Sequence, residues 1–125
     1  MRYLKQLLML VVPAVVLNVW LLRYSKATPY RGGDASTMLE EFTAYGLSES
    51  MVFLVGGLKI LAALGLLLGF KYKKAIVPSA TVIALLMVGA IAMHFKVGDQ
   101  ALKFLPAGLM LIGSAAILWI SKKEA

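Results

Sequence analysis

The chain contains no cysteine and a single histidine, His94. The first absence removes disulfides, thiolate nucleophiles, iron–sulfur clusters and Cys-type zinc sites together. The second excludes a bis-His haem or a His-rich metal centre within one protomer, so no metal site is expected and no cofactor held by the chain itself. Charge is also scarce: 15% of residues are charged, and six acidic residues stand against thirteen basic ones. The formal charge of +7 would suit nucleic acid. The basic residues flank apolar runs, however, which is the pattern of membrane orientation, so nucleic acid is not expected as a partner.

What remains is apolar, with 61% hydrophobic residues in 125. That length suits one domain, 1–125, and is too short for a membrane bundle plus a separate soluble enzyme. A bilayer core needs ~20 mostly apolar residues at 1.5 Å rise each. Four stretches qualify, at about 4–22, 50–70, 75–95 and 101–121. Backbone groups in lipid must be satisfied within each segment, so the spans are helices. The short connections Lys71–Lys74 and Lys96–Gln100 make their neighbours antiparallel. The expected fold is all-α: an integral membrane up-down four-helix bundle with the lipid bilayer as its surroundings.

Arg2, Lys5, Lys71, Lys73, Lys74, Lys122 and Lys123 fall on one side of that arrangement. Arg23, Lys26, Arg31, Lys96 and Lys103 fall on the other. The compact Lys71–Lys74 cluster predicts cytoplasmic termini in a multi-pass protein. Arg2 and Lys5 before an apolar run, then Ser25-Lys26-Ala27, imitate a signal peptide. The run is long for one and carries Pro13 and Asn18, so a retained first helix is expected.

Between the first two spans, residues 37–46 read as a short extracytoplasmic amphipathic helix that lies along the membrane interface or folds down over the bundle as a lid. Thr37 has the N-cap position with Glu40 at capping-box spacing. Met38, Leu39, Phe42 and Tyr45 form the apolar face, and Gly46 supplies a left-handed stop. Gly32-Gly33 allows a sharp turn before it. Pro13 and Pro106 predict kinks, whereas Pro78 falls in a first turn. Trp20 and Trp119 fit interfacial anchors at opposite faces. Gly65 and Gly69 make a GxxxG match, which serves packing within the bundle or a homodimer.

Lys59 is the main candidate for chemistry. At a helix centre it costs ~2.5–3.5 kcal/mol to insert. Eleven Leu, Ile, Phe and Val residues between Val52 and Leu68 offset this with about −3 to −7 kcal/mol. Lys59 lies ~15 Å from either end of its helix, so snorkelling alone reaches less than half the distance. Snorkelling, a structural pairing and a functional pocket all remain open for it. A second polar group gathers near the α-helical ends on the outer side: Asn18, Glu49, His94 and Asp99, with Tyr45 as a cap over them. Glu49 and His94 are within reach of a shared hydrogen bond in such a bundle, while Asp99 and Ser48 also read as N-caps. No nucleophile or supported acid–base pair emerges by spacing, so no catalytic residue is assigned.

The stretch Gly33-Asp34, Thr37-Met38, Glu40-Glu41-Phe42, Tyr45-Gly46-Leu47, then Val55-Gly56-Gly57-Leu58-Lys59-Ile60-Leu61, resembles the bacterial DoxX-like family. The later Met87-Val88-Gly89-Ala90, His94 and Asp99 are similar to that family's third-span ending. The resemblance implies a four-helix protein of the bacterial cytoplasmic membrane. It also implies a non-catalytic membrane subunit or partner of a redox system, since the wider family includes a small membrane subunit of a thiosulfate:quinone oxidoreductase. On that reading the partner is a membrane or peripheral oxidoreductase, and a quinone head group lies between helices with Lys59 or His94 as donor. Many family members carry an acidic residue where this chain has Lys59. The alternative is a small carrier or lipid/metabolite-binding bundle that uses Lys59 as a buried anion contact.

Overall fold

A computed structural model describes residues 2–22, 32, 35 and 37–124. The Ser25-Lys26-Ala27 motif, Arg23, Arg31, Gly33 and Asp34 lie outside the described residues. Five α-helices account for the described chain: α1 (Arg2–Leu17), α2 (Met38–Ala44), α3 (Glu49–Leu68), α4 (Ile76–Lys96) and α5 (Leu105–Glu124). A π-helical turn, Asn18–Leu22, extends α1, and short 3₁₀ turns at Lys73–Ala75 and Ala101–Phe104 lead into α4 and α5. With these extensions four helices are long and apolar enough to cross a membrane: Tyr3–Leu22, Glu49–Leu68, Lys73–Lys96 and Ala101–Glu124. The molecule is a helical membrane bundle.

Each long helix buries one stripe and offers the rest to lipid. On α1 the stripe is Met9, Val12, Val16 and Trp20; on α3 it is Val52, Gly56, Ala63 and Leu66. On α4 it is Ile76, Ala80, Ile83, Met87 and His94, and on α5 Ala107, Met110, Ser114 and Ile117. The three- and four-residue spacing keeps these positions in line along a helix that packs at a shallow angle. Large apolar residues such as Phe53, Leu61, Leu85 and Ile112 stay exposed, as lipid contact permits. The four helices close a ring, with α1 against α3 and α5, and α4 against the same two. The α2 helix packs on α3 at one end of the ring. At the opposite end Lys5 Nζ and Glu124 Oε1 meet at 2.6 Å, tying the first helix to the last.

Small residues set how closely the ring closes. A Cβ on Gly65 would collide with Ser79, and one on Gly69 would come within 2.5 Å of Ile76 Cγ1. The GxxxG pair therefore seats α4 against α3 inside one chain. The Ser114 hydroxyl is buried on α5 but donates to the Met110 carbonyl at 2.8 Å, so it costs the core no free donor.

One sequence expectation changes here. Trp20 is buried rather than anchored in the interface, because it fills the space over Gly56. Trp119 is half exposed, with Lys123 Nζ 5.6 Å from its ring, as an interfacial anchor should be. Pro106 is the second residue of α5, where a missing N–H costs nothing. The helix α1 runs on through Pro13.

Candidate functional site

The local chemistry of α2 decides what the bundle encloses. The Thr37 hydroxyl accepts the Glu40 N–H at 3.2 Å and starts the helix. At the other end Gly46 adopts φ +81°. Its N–H donates to Thr43 O at 3.0 Å, while the Leu47 N–H donates to Phe42 O at 2.9 Å. These two bonds form a Schellman stop. The inward face is Met38, Glu41, Phe42 and Tyr45. Leu39, expected on that face, is turned outward. Residues 38, 41, 42 and 45 follow the 3.6-residue period more closely than a set containing 39, and the period carries Glu41 inward despite its charge.

Under α2 lies a cavity of about 600 Å³, walled by all four spans and roofed by the inward face of that helix. Its wall is mostly apolar, including Val16, Phe42, Val55 and Met110. Set into it are Glu41, Tyr45, Lys59, His94 and Lys103. Asn18 borders the cavity too, although its place on the π turn leaves it largely exposed. Glu49 does not line it and is exposed at the start of α3.

Lys59 stands on the inward stripe of α3, in line with Val52, Gly56, Ala63 and Leu66. Helical side chains lean toward their own N-terminus. The lysine stem therefore runs over the preceding turn, where bare Gly56 admits the indole of Trp20. Its ammonium lies 5.4 Å from the centroid of the Trp20 ring. The described residues give it no hydrogen bond and no ion pair. Its charge interacts with Glu41 across the cavity without contact. A cation over an indole gains about 0.5–2 kcal/mol, which offsets part of its burial and leaves its donors uncommitted.

Glu41 is committed. Its Oε1 accepts the Tyr45 hydroxyl at 2.7 Å and the Gly32 N–H at 3.0 Å. Gly32 leaves no room for a Cβ beside the Tyr45 ring, so its role is close approach as well as turning. The Tyr45 carbonyl accepts Lys96 Nζ at 2.8 Å, which fastens α2 to the end of α4. The Phe42 ring meets Trp20 edge-on at 6.0 Å between centroids, which continues the aromatic roof down to α1.

His94 is buried on the α4 stripe, between the rings of Tyr45 at 5.9 Å and Phe104 at 5.3 Å. Its partner is Asp99, not Glu49: Nδ1 and Oδ2 are 2.6 Å apart, with side-chain exposures of 6% and 4%. A Schellman stop brings them together. Gly98 adopts φ +69°, its N–H donates to Phe95 O at 3.1 Å, and the Asp99 N–H donates to His94 O at 3.0 Å. The chain thus folds Asp99 back onto the histidine, and Gln100, not Asp99, takes the N-cap of the next turn. Lys103 Nζ lies 3.8 Å from the other Asp99 oxygen. A carboxylate can only accept, so the shared hydrogen sits on Nδ1. With Nδ1 so engaged, Nε2 accepts in the neutral ring and donates in the imidazolium.

Sequence reasoning missed Glu41, Trp20 and Lys103. Only Glu41 left a signal, its helical spacing from Met38 and Tyr45. Among the described residues no three His, Asp or Glu side chains are grouped to hold a metal ion.

No curated protein and no solved structure matches the chain. Residues 32–117, well over half of its length, match the family model described as the DoxX-like family. That stretch includes α2, α3 and α4 and most of α5, and so all the cavity's polar side chains apart from Asn18 and Trp20 of the first span. This membrane bundle belongs to the DoxX-like family.

Proposed function

We propose that this DoxX-like protein is a non-catalytic membrane subunit that holds a small lipophilic ligand, a quinone-type head group, for a redox partner. The observation that carries the reading is the cavity itself: apolar walls, an aromatic roof and an ammonium, Lys59, that no described residue hydrogen-bonds or pairs. A few placed polar groups in an apolar pocket are what orients a small ligand. An ammonium is a strong donor to a carbonyl oxygen. The compartment is the bacterial cytoplasmic membrane with both termini cytoplasmic, a reading supported by Lys71, Lys73, Lys74, Lys122 and Lys123 at the end away from α2. A homodimer is not needed for it, since Gly65 and Gly69 are engaged within the chain.

The test uses the full chain in lipid nanodiscs, with Trp119→Phe so that Trp20 alone reports. A short-chain quinone is expected to quench Trp20 saturably, and Lys59→Leu to weaken that binding about tenfold or more. Capture from native membranes is expected to return an oxidoreductase. Linear, non-saturable quenching would sink the ligand reading. Capture that repeatedly yields no redox protein would sink the partner. One observation favours a carrier instead: among the described residues no carboxylate is in contact with the Lys59 ammonium, as an anion contact requires. Anion flux into proteoliposomes that is lost in Lys59→Leu would favour that second reading.

A further inference from the structure

We propose that the His94–Asp99 pair is a proton-accepting site for an acidic hydroxyl on the molecule held in the cavity, which makes weakly acidic phenols, hydroquinones among them, the ligand class. This rests on the reading of the cavity as a ligand site.

The geometry is that of a prepared base. Asp99 holds Nδ1 at 2.6 Å with both side chains almost fully buried. The backbone repeats the link, Asp99 N–H to His94 O at 3.0 Å. The rings of Tyr45 and Phe104 pack against the imidazole at 5.9 and 5.3 Å between centroids. The ring is thus fixed in tautomer and orientation, with Nε2 as the nitrogen left to the cavity that His94 lines. A neutral imidazole backed by a buried carboxylate is suited to receive a proton, because the imidazolium that results is neutralised in place.

In the step proposed, the ligand's O–H bond breaks and an Nε2–H bond forms. The electron pair stays on the ligand oxygen, which is left as a phenolate, and no electron leaves the ligand. The charges around His94 favour that outcome. Glu41 and Tyr45 face the cavity from α2, Lys59 from α3, and Lys103 from the turn that follows Asp99; Lys96 lies behind Tyr45. The wall contributed by α1 and α5 carries no titratable group. Three ammonium groups stand against the carboxylates of Glu41 and Asp99, so an anion left in the cavity is attracted, and the described residues leave the donors of Lys59 to it.

The experiment uses an alkylated 4-nitrophenol and its methyl ether with the full chain in nanodiscs. The phenol is expected to bind about tenfold or more tighter than the ether, the range of a hydrogen bond to a charged group. The bound phenol should show phenolate absorption at a pH where it stays neutral in empty nanodiscs. In His94→Gln and Asp99→Asn the two probes should bind within about twofold of each other. Equal affinity in the wild type overturns the proposal while leaving the cavity reading intact, and so does a preference unchanged by His94→Gln. If neither probe binds, the ligand reading fails and takes the proposal with it. Should the variants not fold, the wild-type spectrum decides: a bound probe that stays neutral overturns the proposal.

Discussion

Lys59 sits where a leucine would be cheaper for insertion, and its neighbours explain how the helix tolerates it. The Lys59→Leu protein is expected to be more stable, by about 4 kcal/mol of insertion free energy at most, and to lose ligand binding. Denaturation in mixed micelles alongside quenching of Trp20 measures both. Gly56 is the complementary position, because an added Cβ would come within 2.5 Å of Trp20 Cζ3. Gly56→Ala is expected to cost about 1–3 kcal/mol as the indole is forced aside, with a shift in Trp20 emission. The sequence marked Lys59 as costly but left its direction open, because α3 is apolar on every face and only packing makes Val52, Gly56, Ala63 and Leu66 the inward stripe. Glu41 was harder: its charge argued for solvent, and only the helical period argued for the cavity.

At the scale of elements, two glycines with positive φ do the same work at opposite edges of the site. Gly46 ends α2 so that Leu47 can lead into α3, and Gly98 ends α4 so that Asp99 returns to His94. An alanine at Gly98 would carry a Cβ in the left-handed region, at a cost of roughly 1–2 kcal/mol. Gly98→Ala is therefore expected to lower stability by that amount and to loosen the His94–Asp99 contact, seen as a changed imidazole ¹⁵N shift pattern. Gly46 was recognisable as a stop because an amphipathic helix precedes it. Gly98 was hidden by its setting, a short linker in which Asp99 looked like the next helix's cap. The two roles compete for one carboxylate, and burial beside His94 decides between them. The Trp20 placement was illegible for a similar reason: a tryptophan near a span's end suits either the interface or a glycine seat, and only the partner helix distinguishes them.

The whole molecule was the most legible level, because lipid admits few solutions: four apolar runs joined by short connections give a helical bundle. What that logic does not supply is which polar groups share the interior, since this depends on the rotation of every helix at once. Lys59, His94, Tyr45 and Asn18 meet around one cavity, while Glu49 at the head of the same helix as Lys59 faces away. The roof of that cavity is α2, which is only seven residues long and packs chiefly on α3. So short a helix has little stability of its own, and its attachments hold it in place. One of these is the 2.8 Å bond from Lys96 Nζ to the Tyr45 carbonyl, joining the roof to α4. Because Lys96 is exposed to solvent, water replaces much of what the bond supplies, and its removal should cost about 1 kcal/mol. Lys96→Met is thus expected to raise the open population of α2 about fivefold. Hydrogen exchange should show this as faster exchange for the amides of residues 41–47, with those in the centre of α5 unchanged. The same variant should speed ligand entry and exit together, because the bond holds the roof and touches nothing in the cavity. Uniform acceleration across all helices would instead mean that α2 is part of what keeps the bundle folded.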